Sequence, residues 1–474
     1  MNKVFDESIN YLPYQSVENL LQNYGCKSFF IIILYVLSST SWALTSEVLF
    51  LPTFIMEKIS CGGNDTFWCN RRLNNSISMS ESFNLTNNDF TLFYQSFFIG
   101  NIIGATIQSY LADIYGRKLI ALPCFVLSSL LGLLMTCFSK FIYILILRFI
   151  QGIILSNANG ILFILASENA PLKSHPIIAL LCNLMWAIGL ILLVSIAYFF
   201  SNWRTIIIIV NTMVIVLSII LWFVLLESLH FLFEKKDKKN IEIWINKVNK
   251  FSKNKLEINI DAYIKKFHGI NGEFQKSSYT NKSLSKVIKY YYLNKKYFIY
   301  LFLIFFIWFN EFLSYYLFTI NAKELVGNPY INIILISLVE FPTSFLAPIT
   351  IKKFGRKKSM IISFCTVAIL QIILAFLPTN MEKLYYIIFL ITKSFLALIC
   401  ILMFVYFSEI FPTEIRNSSI GFLLNSTYIG GIVGGSMCNS WNNYKFIYFI
   451  SFSILSFVNA GLLYFLPNID KELK

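Results

Sequence analysis

Four charged side chains inside long apolar runs are the residues of this 474-residue chain best able to do chemistry. They are Arg148, Glu311, Glu340 and Lys393. A charge inside a bilayer costs at least ~2.5 kcal/mol on insertion scales, so each one requires a partner or a purpose. Glu340 and Lys393 stand about ten residues from the outer ends of their runs, or about 15 Å at 1.5 Å per residue. This depth predicts an ion site at the middle of a membrane.

Three tyrosines accompany the two acids. Tyr315 and Tyr316 follow Glu311 along one run, and Tyr428 reaches a similar depth from the other end of its own run. An aromatic face attracts a cation by about 0.5–2 kcal/mol, and more when the cation is desolvated. We therefore predict that the tyrosines form an aromatic cage for a substrate, with Glu311 and Glu340 supplying negative potential.

Other interpretations of these residues stay open. Lys393 either pairs with Glu340 or Glu311 and neutralises it, or it attracts an anionic substrate. The plainest alternative is a buried ion pair that only locks helices together. Arg148 is favoured as a structural or coupling residue, and the tyrosines could simply pack or anchor the protein at the membrane interface.

The residue content argues against several classes of protein. Three histidines, His175, His230 and His268, fall outside the apolar runs, so we expect no metal site in the membrane. The chain has no Gly-Lys-Ser/Thr loop to cradle a phosphate, and we expect neither an enzyme nor a cofactor. The net charge of +14 could suggest nucleic acid, but the lysines cluster beside apolar runs as topology signals and contacts to anionic lipid. The expected partners are a small organic ion and membrane lipid, and the expected functional unit is the monomer.

Long apolar helices must position these residues. The chain is 57% hydrophobic and 14% charged, whereas soluble domains are about half apolar and a quarter charged. Each run can cross a hydrocarbon core of about 30 Å. We predict twelve spans, at Phe29–Leu51, Phe90–Leu111, Leu119–Phe138, Phe141–Leu165, Ile177–Phe200, Thr205–Leu226, Tyr297–Ile320, Tyr330–Thr350, Met360–Leu377, Leu384–Phe407, Ser418–Met437 and Phe446–Leu466. The fold class predicted is therefore an all-α membrane protein.

Two pairs of motifs recur at nearly one offset. Gly116 and Gly355 stand in short basic turns 239 residues apart, and Glu168-x-x-Pro and Glu409-x-x-Pro follow them 241 residues apart. Such a repeat predicts two pseudo-symmetric six-helix bundles, as in many carriers. Arg117 and Arg356 can clamp carboxylates or backbone carbonyls through bidentate hydrogen bonds, which predicts a gate on this side, with a role mainly as topology signals as the alternative. The predicted gating residues are Asp113, Gly116, Arg117, Glu168, Gly355, Arg356, Glu409 and Arg416.

The distribution of basic residues predicts the orientation. Most Lys and Arg lie in segments on the side of the N-terminus, so both termini are predicted to be cytosolic, with the plasma membrane as the location. The loop Met56–Asp89 then faces outside. It carries glycosylation sequons at Asn64, Asn74 and Asn84. Cys61 and Cys69 lie in the same loop, where either a disulfide or two free thiols would fit an oxidising compartment.

The chain divides into five segments. They are a cytosolic lead-in at 1–28, a first bundle at 29–226, a cytosolic linker at 227–296, a second bundle at 297–466 and a tail at 467–474. Within the linker, Ile241, Ile245, Val248 and Phe251 fall on one helical stripe. The stripe predicts an amphipathic helix against the inner leaflet or under the bundle, with a solvated charged loop as the alternative.

These motifs resemble the major facilitator superfamily, and most closely its organic cation/anion/zwitterion transporter branch. The likeness rests on Leu111–Lys118, Arg148–Gly152, Glu227-Ser228, Tyr315–Pro342 and Glu409–Asn417. It implies a major facilitator fold with a central cavity between the halves, working by alternating access. Ser109 departs from the family pattern by replacing a glycine, and Tyr428 replaces the acid or base that typically marks substrate charge in this branch.

The function indicated is secondary transport of small organic cations, anions or zwitterions. A sugar or nutrient facilitator of the same superfamily is the nearest alternative, although the seventh run lacks the Gln-rich polar face that sugar carriers use. A non-transporting membrane sensor or binding protein that kept the fold is the other alternative.

Overall fold

The structure is a computed structural model that describes residues 12–24, 29–56, 77–171, 174–200, 202–251, 260–261, 263–264, 290–378, 381–411, 416–438 and 440–468. The helices before the linker are α1 (Leu12–Tyr24), α2 (Phe29–Phe50), α3 (Pro52–Ile55), α4 (Met79–Phe83), α5 (Asn87–Tyr115), α6 (Arg117–Met135), α7 (Phe141–Leu155), α8 (Ala158–Glu168), α9 (His175–Phe199) and α10 (Trp203–Val224). The linker contributes α11 (Leu229–Lys235) and α12 (Lys238–Phe251). The second half comprises α13 (Lys295–Ile320), α14 (Pro329–Leu338), α15 (Glu340–Phe354), α16 (Arg356–Phe376), α17 (Glu382–Ile410), α18 (Arg416–Cys438) and α19 (Trp441–Tyr464).

Eleven membrane spans are recognisable by length and composition among the described helices. The predicted eleventh span, α18, is not one of them, although its 23 residues give it the length. Its glycines, serines and asparagines lower its hydropathy. α18 nevertheless packs along α13 and α5 in the middle of the protein. Because neighbouring helices cover it, α18 does not need an apolar surface for lipid. With eleven apolar spans and this covered helix, the prediction of an all-α membrane fold is confirmed.

The same helix pairs form in both halves. In the first half α2 packs on α9, α5 on α7, and α6 on α10. In the second half α13 packs on α18, α15 on α17, and α16 on α19. Each pair in the second half involves the spans six places later in the chain than its counterpart in the first half. The offset between the two basic turns predicts this correspondence. The halves meet through α5 with α18 and through α9 with α14 and α15.

Two predicted spans are broken near their middles. The fourth is divided into α7 and α8 at Ser156 and Asn157, and the eighth into α14 and α15 at Val339. In the eighth span Pro342 has no N–H to donate to the carbonyl of Leu338, and the first turn of a helix is where a proline costs least. The break therefore makes Glu340 the first residue of α15.

The two basic turns have the backbone that their glycines predict. Gly116 has φ of 113° and Gly355 has φ of 83°, a region that other residues rarely adopt. Each turn reverses the chain between two long helices within one residue. We call the face of the protein that carries these turns the basic side, and the face that carries α4 the opposite side.

α1 and α12 pack together beneath the first bundle on the basic side. Ile241, Ile245 and Val248, from the predicted stripe, are buried. The Tyr24 ring packs on Trp244, and its hydroxyl donates to Asn249 Oδ1 at 3.0 Å. Burial raises the pKa of Tyr24 to about 12. The amphipathic helix thus rests on protein, in agreement with one of the two placements predicted for it.

Candidate substrate cavity and gate

A cavity lies between the two halves and contains about 850 Å³ of empty space, part of it open to solvent. Helices of both halves line it with Trp42, Thr45, Leu49, Phe97, Asn101, Leu155, Ser156, Asn159, Gly160, Phe163, Ile164, Trp186, Trp308, Phe312, Tyr316, Phe404, Phe407, Ile420, Leu424, Thr427 and Tyr428. Ile164 and Ile420 stand four residues from the ends of α8 and α18 on the basic side. The cavity therefore extends from the middle of the protein toward the basic side.

The opposite side of the cavity is filled by contacts between the halves. The Phe98 ring lies 5.4 Å from the Tyr316 ring and 6.3 Å from the Tyr428 ring, between ring centres. Gln95 Nε2 donates to Ser436 Oγ at 2.6 Å. These contacts join α5 to α13 and α18 and close the path to the opposite side in this conformation.

The predicted tyrosine cage is divided by the structure. Tyr316 and Tyr428 line the cavity, and Tyr315 is not among its lining residues. The hydroxyl of Tyr428 donates to the carbonyl of Ser156, at the break between α7 and α8. A phenol of the second half thus satisfies a backbone acceptor of the first half beside the cavity.

Tyr315 instead joins a buried network behind the cavity wall. Lys393 Nζ lies 3.2 Å from Glu340 Oε1 and donates to Thr319 Oγ1 at 2.7 Å. The Tyr315 hydroxyl donates to the same Glu340 oxygen at 2.8 Å and accepts from Trp186 Nε1 at 2.9 Å. Both charged side chains are fully buried. Since Trp186 lines the cavity, the ion pair is linked to the cavity wall through two hydrogen bonds.

The position of Glu340 favours its negative charge. As the first residue of α15, its carboxylate stands at the positive end of the helix dipole. Its second oxygen, Oε2, has no hydrogen-bond partner in the part of the chain that the structure describes. Lys393 pairs with Glu340, which is one of the two acids that the sequence analysis gave as its possible partners.

Glu311 lies on the same surface of α13 as Tyr315 and Thr319, which are spaced at four-residue intervals and face α17. It is 2% exposed and does not pair with Lys393 within 4 Å. The Cys400 thiol is its neighbour, with Sγ 4.0 Å from Glu311 Oε1. Among the residues that the structure describes, this acid is buried without an ion-pair partner, a result that the sequence alone did not predict.

Arg148 has the contacts of a structural residue. Its guanidinium donates to Gln151 Oε1 at 2.7 Å and to the Val48 carbonyl at 2.9 Å. It also lies over the Phe97 ring, 4.1 Å from its centre. These contacts fasten α7 to α2 within the first half, and Arg148 is 1% exposed.

On the basic side the predicted gating residues of the first half meet. Arg117 Nη2 lies 3.1 Å from Glu168 Oε1 and 3.4 Å from Asp113 Oδ1. The guanidinium is also 5.0 Å from the centre of the Phe231 ring. α5, α6, α8 and α11 are thereby held together at the turn containing Gly116.

Glu227 is a member of this cluster that the gating prediction missed. Its carboxylate accepts from the backbone N–H of Arg117 at 3.0 Å and of Lys118 at 3.1 Å, so it caps α6. A Cβ on Gly116 would lie 2.6 Å from Glu227 Oε2, so the glycine leaves room for this cap. The Glu-Ser pair after the sixth span was visible in the sequence, but its contact with a turn 110 residues earlier was not.

The second basic turn is described only in part. Gly355 ends α15, and Arg356 begins α16. The side chains of Glu409 and Arg416 lie outside the described residues. Lys357 donates to the carbonyls of Tyr464 at 2.9 Å and Leu466 at 2.6 Å, and so binds the end of α19.

Ser109, which replaces a family glycine, is accommodated at a helix crossing. Its hydroxyl donates to the Ala105 carbonyl at 2.8 Å and accepts from Asn157 Nδ2 at 2.7 Å. Gly421 on α18 faces it, and a Cβ there would lie 2.7 Å from Ser109 Oγ. Gly421 therefore leaves room for the Ser109 hydroxyl at this crossing.

One of the predicted glycosylation sites, Asn84, lies on the opposite side. Asn84 is exposed, ends α4 and has φ of 51°. Asn64, Asn74, Cys61 and Cys69 lie outside the described residues.

Two helical bundles around a cavity define a multi-pass membrane carrier. The chain belongs to the sugar (and other) transporter family, whose model matches residues 63–467. This membership confirms the predictions of a major facilitator fold and of a transporter rather than an enzyme.

Relatives agree with the organic-ion branch. The Caenorhabditis elegans protein B0252.3, which is described as a transporter, is 28% identical over 409 residues, covering 82% of this chain and 77% of that protein. Solute carrier family 22 member 1 of Bos taurus is 24% identical over 398 residues, covering 82% of this chain and 68% of that protein. The Escherichia coli xylose transporter XylE, in a partially occluded inward-open structure, superposes with a TM-score of 0.66 at 16% identity, covering 93% of this chain and 98% of that one. This last similarity establishes the fold alone.

Proposed function

We propose that this protein carries small organic ions across a membrane by alternating access, and that the aromatic cavity is its substrate site. Tyr316 and Tyr428 contact the substrate, while Glu311, Tyr315, Glu340 and Lys393 set the electrostatic potential behind the wall. The observation that carries the proposal is a cavity lined by both halves, with a buried charged network linked to its wall through Trp186.

The lining favours an organic substrate with an apolar or aromatic body. Ten of the 21 lining residues are aromatic, and none is charged. Aromatic faces bind apolar groups by area and cations by their negative quadrupole. Because two acids and one lysine stand behind the wall, the potential favours a cation or the cationic end of a zwitterion over an anion.

Alternating access requires the cavity to open on one side of the membrane while it closes on the other. In this conformation α5 meets α13 and α18 on the opposite side, and the cavity extends toward the basic side. We propose that the basic side is cytosolic and that the structure is the inward-facing form. The cluster around Arg117 would then move against the second basic turn when the cytosolic side closes.

The remaining parts of the proposal concern placement in the cell. Both termini are cytosolic, the protein resides in the plasma membrane, and Asn64, Asn74 and Asn84 accept glycans on the outer side. Carriers with two fused halves contain a complete substrate path, so we propose that the monomer in membrane lipid is sufficient.

A sugar is the second candidate substrate, because the matching family includes sugar transporters. The lining does offer polar side chains, with Asn101, Asn159 and Thr427 among them. A sugar would need these groups to replace most of its hydrogen bonds with water. The same assay decides between the two candidates.

The test is uptake by purified protein reconstituted in liposomes. The probes are labelled N-ethylpyridinium, benzenesulfonate, phenylalanine betaine and xylose. We expect uptake of N-ethylpyridinium, and we expect Tyr316→Ala to raise its KM by roughly tenfold, which corresponds to about 1.4 kcal/mol. Tyr143→Ala, at an exposed tyrosine, is the control and should change nothing. Uptake of xylose alone, or of no probe at all, would refute the proposal.

A further inference from the structure

The buried charges of the second half do not balance. Glu340 and Lys393 form one ion pair, fully buried. Glu311 is a second buried carboxyl facing the same helix, α17. In the described part of the chain its one polar contact is the Cys400 thiol, 4.0 Å away. Two carboxyls therefore share a single ammonium.

Apart from Lys393, the charged residues on the helices packed against α13 stand near helix ends. Glu382 and Lys383 begin α17, Arg416 begins α18, and Lys445 of α19 lies over the Tyr385 ring at 5.9 Å. Among the described residues, the titratable groups that face the middle of α13 from its neighbours are Lys393, Glu340, Cys400, Tyr428 and Tyr94. Lys393 is the cation in this set, and it is already paired with Glu340.

An ionised carboxylate is unstable in the buried interior of the protein without a counter-charge, so Glu311 must bind a cation. Metal cations need several oxygen ligands. Around Glu311 the structure offers a thiol and aromatic rings, and the described residues contain no group of three His, Cys, Asp or Glu side chains that could hold a metal ion. A proton requires no ligand set, and it removes the charge outright.

We propose that Glu311 binds a proton in exchange for an organic cation, which makes the carrier a one-for-one proton/cation exchanger. The inference rests on the proposed function and names its coupling ion. With the cavity empty, the Glu311 carboxyl holds one proton. When a cation enters, the O–H bond breaks, the proton leaves to water on that side, and the substrate balances the carboxylate. On the other side the cation leaves and the carboxylate takes up a proton, so each cycle moves no net charge.

The geometry allows this competition. Trp308 and Phe312, which flank Glu311 on α13, both line the cavity, and Trp308 packs on Phe404 at 5.4 Å between ring centres. Phe404 lies one turn beyond Cys400 on α17. A cation on these rings is therefore separated from the Glu311 carboxyl by one layer of side chains. At this separation the charge of the bound cation can compensate the Glu311 carboxylate in place of the proton, without direct contact.

The first test observes the proton directly. Infrared difference spectra of the reconstituted full chain, recorded with and without N-ethylpyridinium, report the C=O stretch of a protonated carboxylic acid. We expect this band at neutral pH, its loss when the cation is added, and its absence in Glu311→Gln. The control is Glu47→Gln, which removes a buried acid of the first half. A cation-sensitive band that survives in Glu311→Gln, or that disappears in Glu47→Gln instead, would overturn the assignment.

The second test measures coupling. With a gradient of one pH unit, acid inside, one-for-one exchange should concentrate N-ethylpyridinium about tenfold, and valinomycin with potassium should not change the ratio. Glu311→Gln should no longer concentrate the probe against the pH gradient, so any uptake that remains should level off at a ratio of about one. If the native protein takes up the probe without responding to the pH gradient, the exchange inference fails while the transport function stands. If it takes up none of the probes, the transport function itself fails.

Discussion

Replacing the two members of the buried ion pair, singly and together, gives the sharpest test of the site. At 3.2 Å the attraction between Lys393 and Glu340 is about 5 kcal/mol for an effective dielectric constant of ~20. Much of this attraction offsets the cost of burying both charges. Lys393→Met leaves Glu340 without its cation, and Glu340→Gln leaves Lys393 without its anion. Each single change should therefore destabilise the protein by about 3–5 kcal/mol.

The double variant should be less destabilised than the sum of the two single variants. With both charges removed, neither side chain leaves an unpaired charge behind, and a neutral pair of similar volume is tolerated. The coupling between the two changes should therefore be at least about 3 kcal/mol, at or above the upper end for residues in direct contact. The assay is reversible unfolding in mixed micelles with a graded SDS fraction. If the two single costs simply add, the ion pair does not stabilise the fold and our account of this network is wrong.

Uptake by the same three variants separates stability from function. If the pair also sets the potential of the cavity, the stable double variant should transport N-ethylpyridinium with an altered KM, and its preference among cationic and anionic probes should change. Unchanged uptake of every probe by both single variants would remove these residues from the substrate site.

Four further changes test other parts of the structure. Glu227→Gln weakens the charge-assisted cap of α6, worth about 1.5–3 kcal/mol, and should lower turnover in liposome uptake at normal surface expression. Tyr428→Phe removes one hydrogen bond, about 1 kcal/mol, and should change the KM for N-ethylpyridinium several-fold. Burial favours the neutral form of Tyr24, so the docking of α1 should weaken as the pH rises from about 10, the pKa of an unfolded tyrosine, to about 12, its pKa in the fold. Amide exchange in α1 is the readout, and Tyr24→Phe is the control that should show no such pH dependence. Asn84→Gln should increase gel mobility by one glycan if that sequon is used; unchanged mobility would mean that it is not.

Much of the fold was predictable because lipid imposes simple rules on a sequence. Apolar runs of the required length identified the spans, and the paired offsets of Gly116 and Glu168 identified the two halves. The helix pairings repeat in both halves as this duplication requires. The breaks at Ser156 and Val339 were not predicted, since hydropathy does not respond to a local break in backbone hydrogen bonding.

The candidate site was predicted as a set of residues but not as an arrangement. Their positions along the spans predicted that Glu340 and Lys393 lie at the same depth in the membrane. The free-energy cost of burying a charge predicted that each has a partner. Whether Lys393 joins Glu340 or Glu311 depends on helix rotation, which the apolar pattern of a buried helix does not encode. Trp186 was missed because a tryptophan in an apolar run is indistinguishable from one that packs in the core.

The sequence by itself determined that this chain crosses a membrane in two related halves and carries charges that must be shielded there, because composition and periodicity govern transfer into lipid. Only the tertiary structure decided which of those charges are shielded. Pairing requires atoms within about 4 Å, and that distance is set by how helices far apart in sequence pack. Thus α15 and α17 join Glu340 to Lys393, while Glu311 on α13 lies beside the Cys400 thiol.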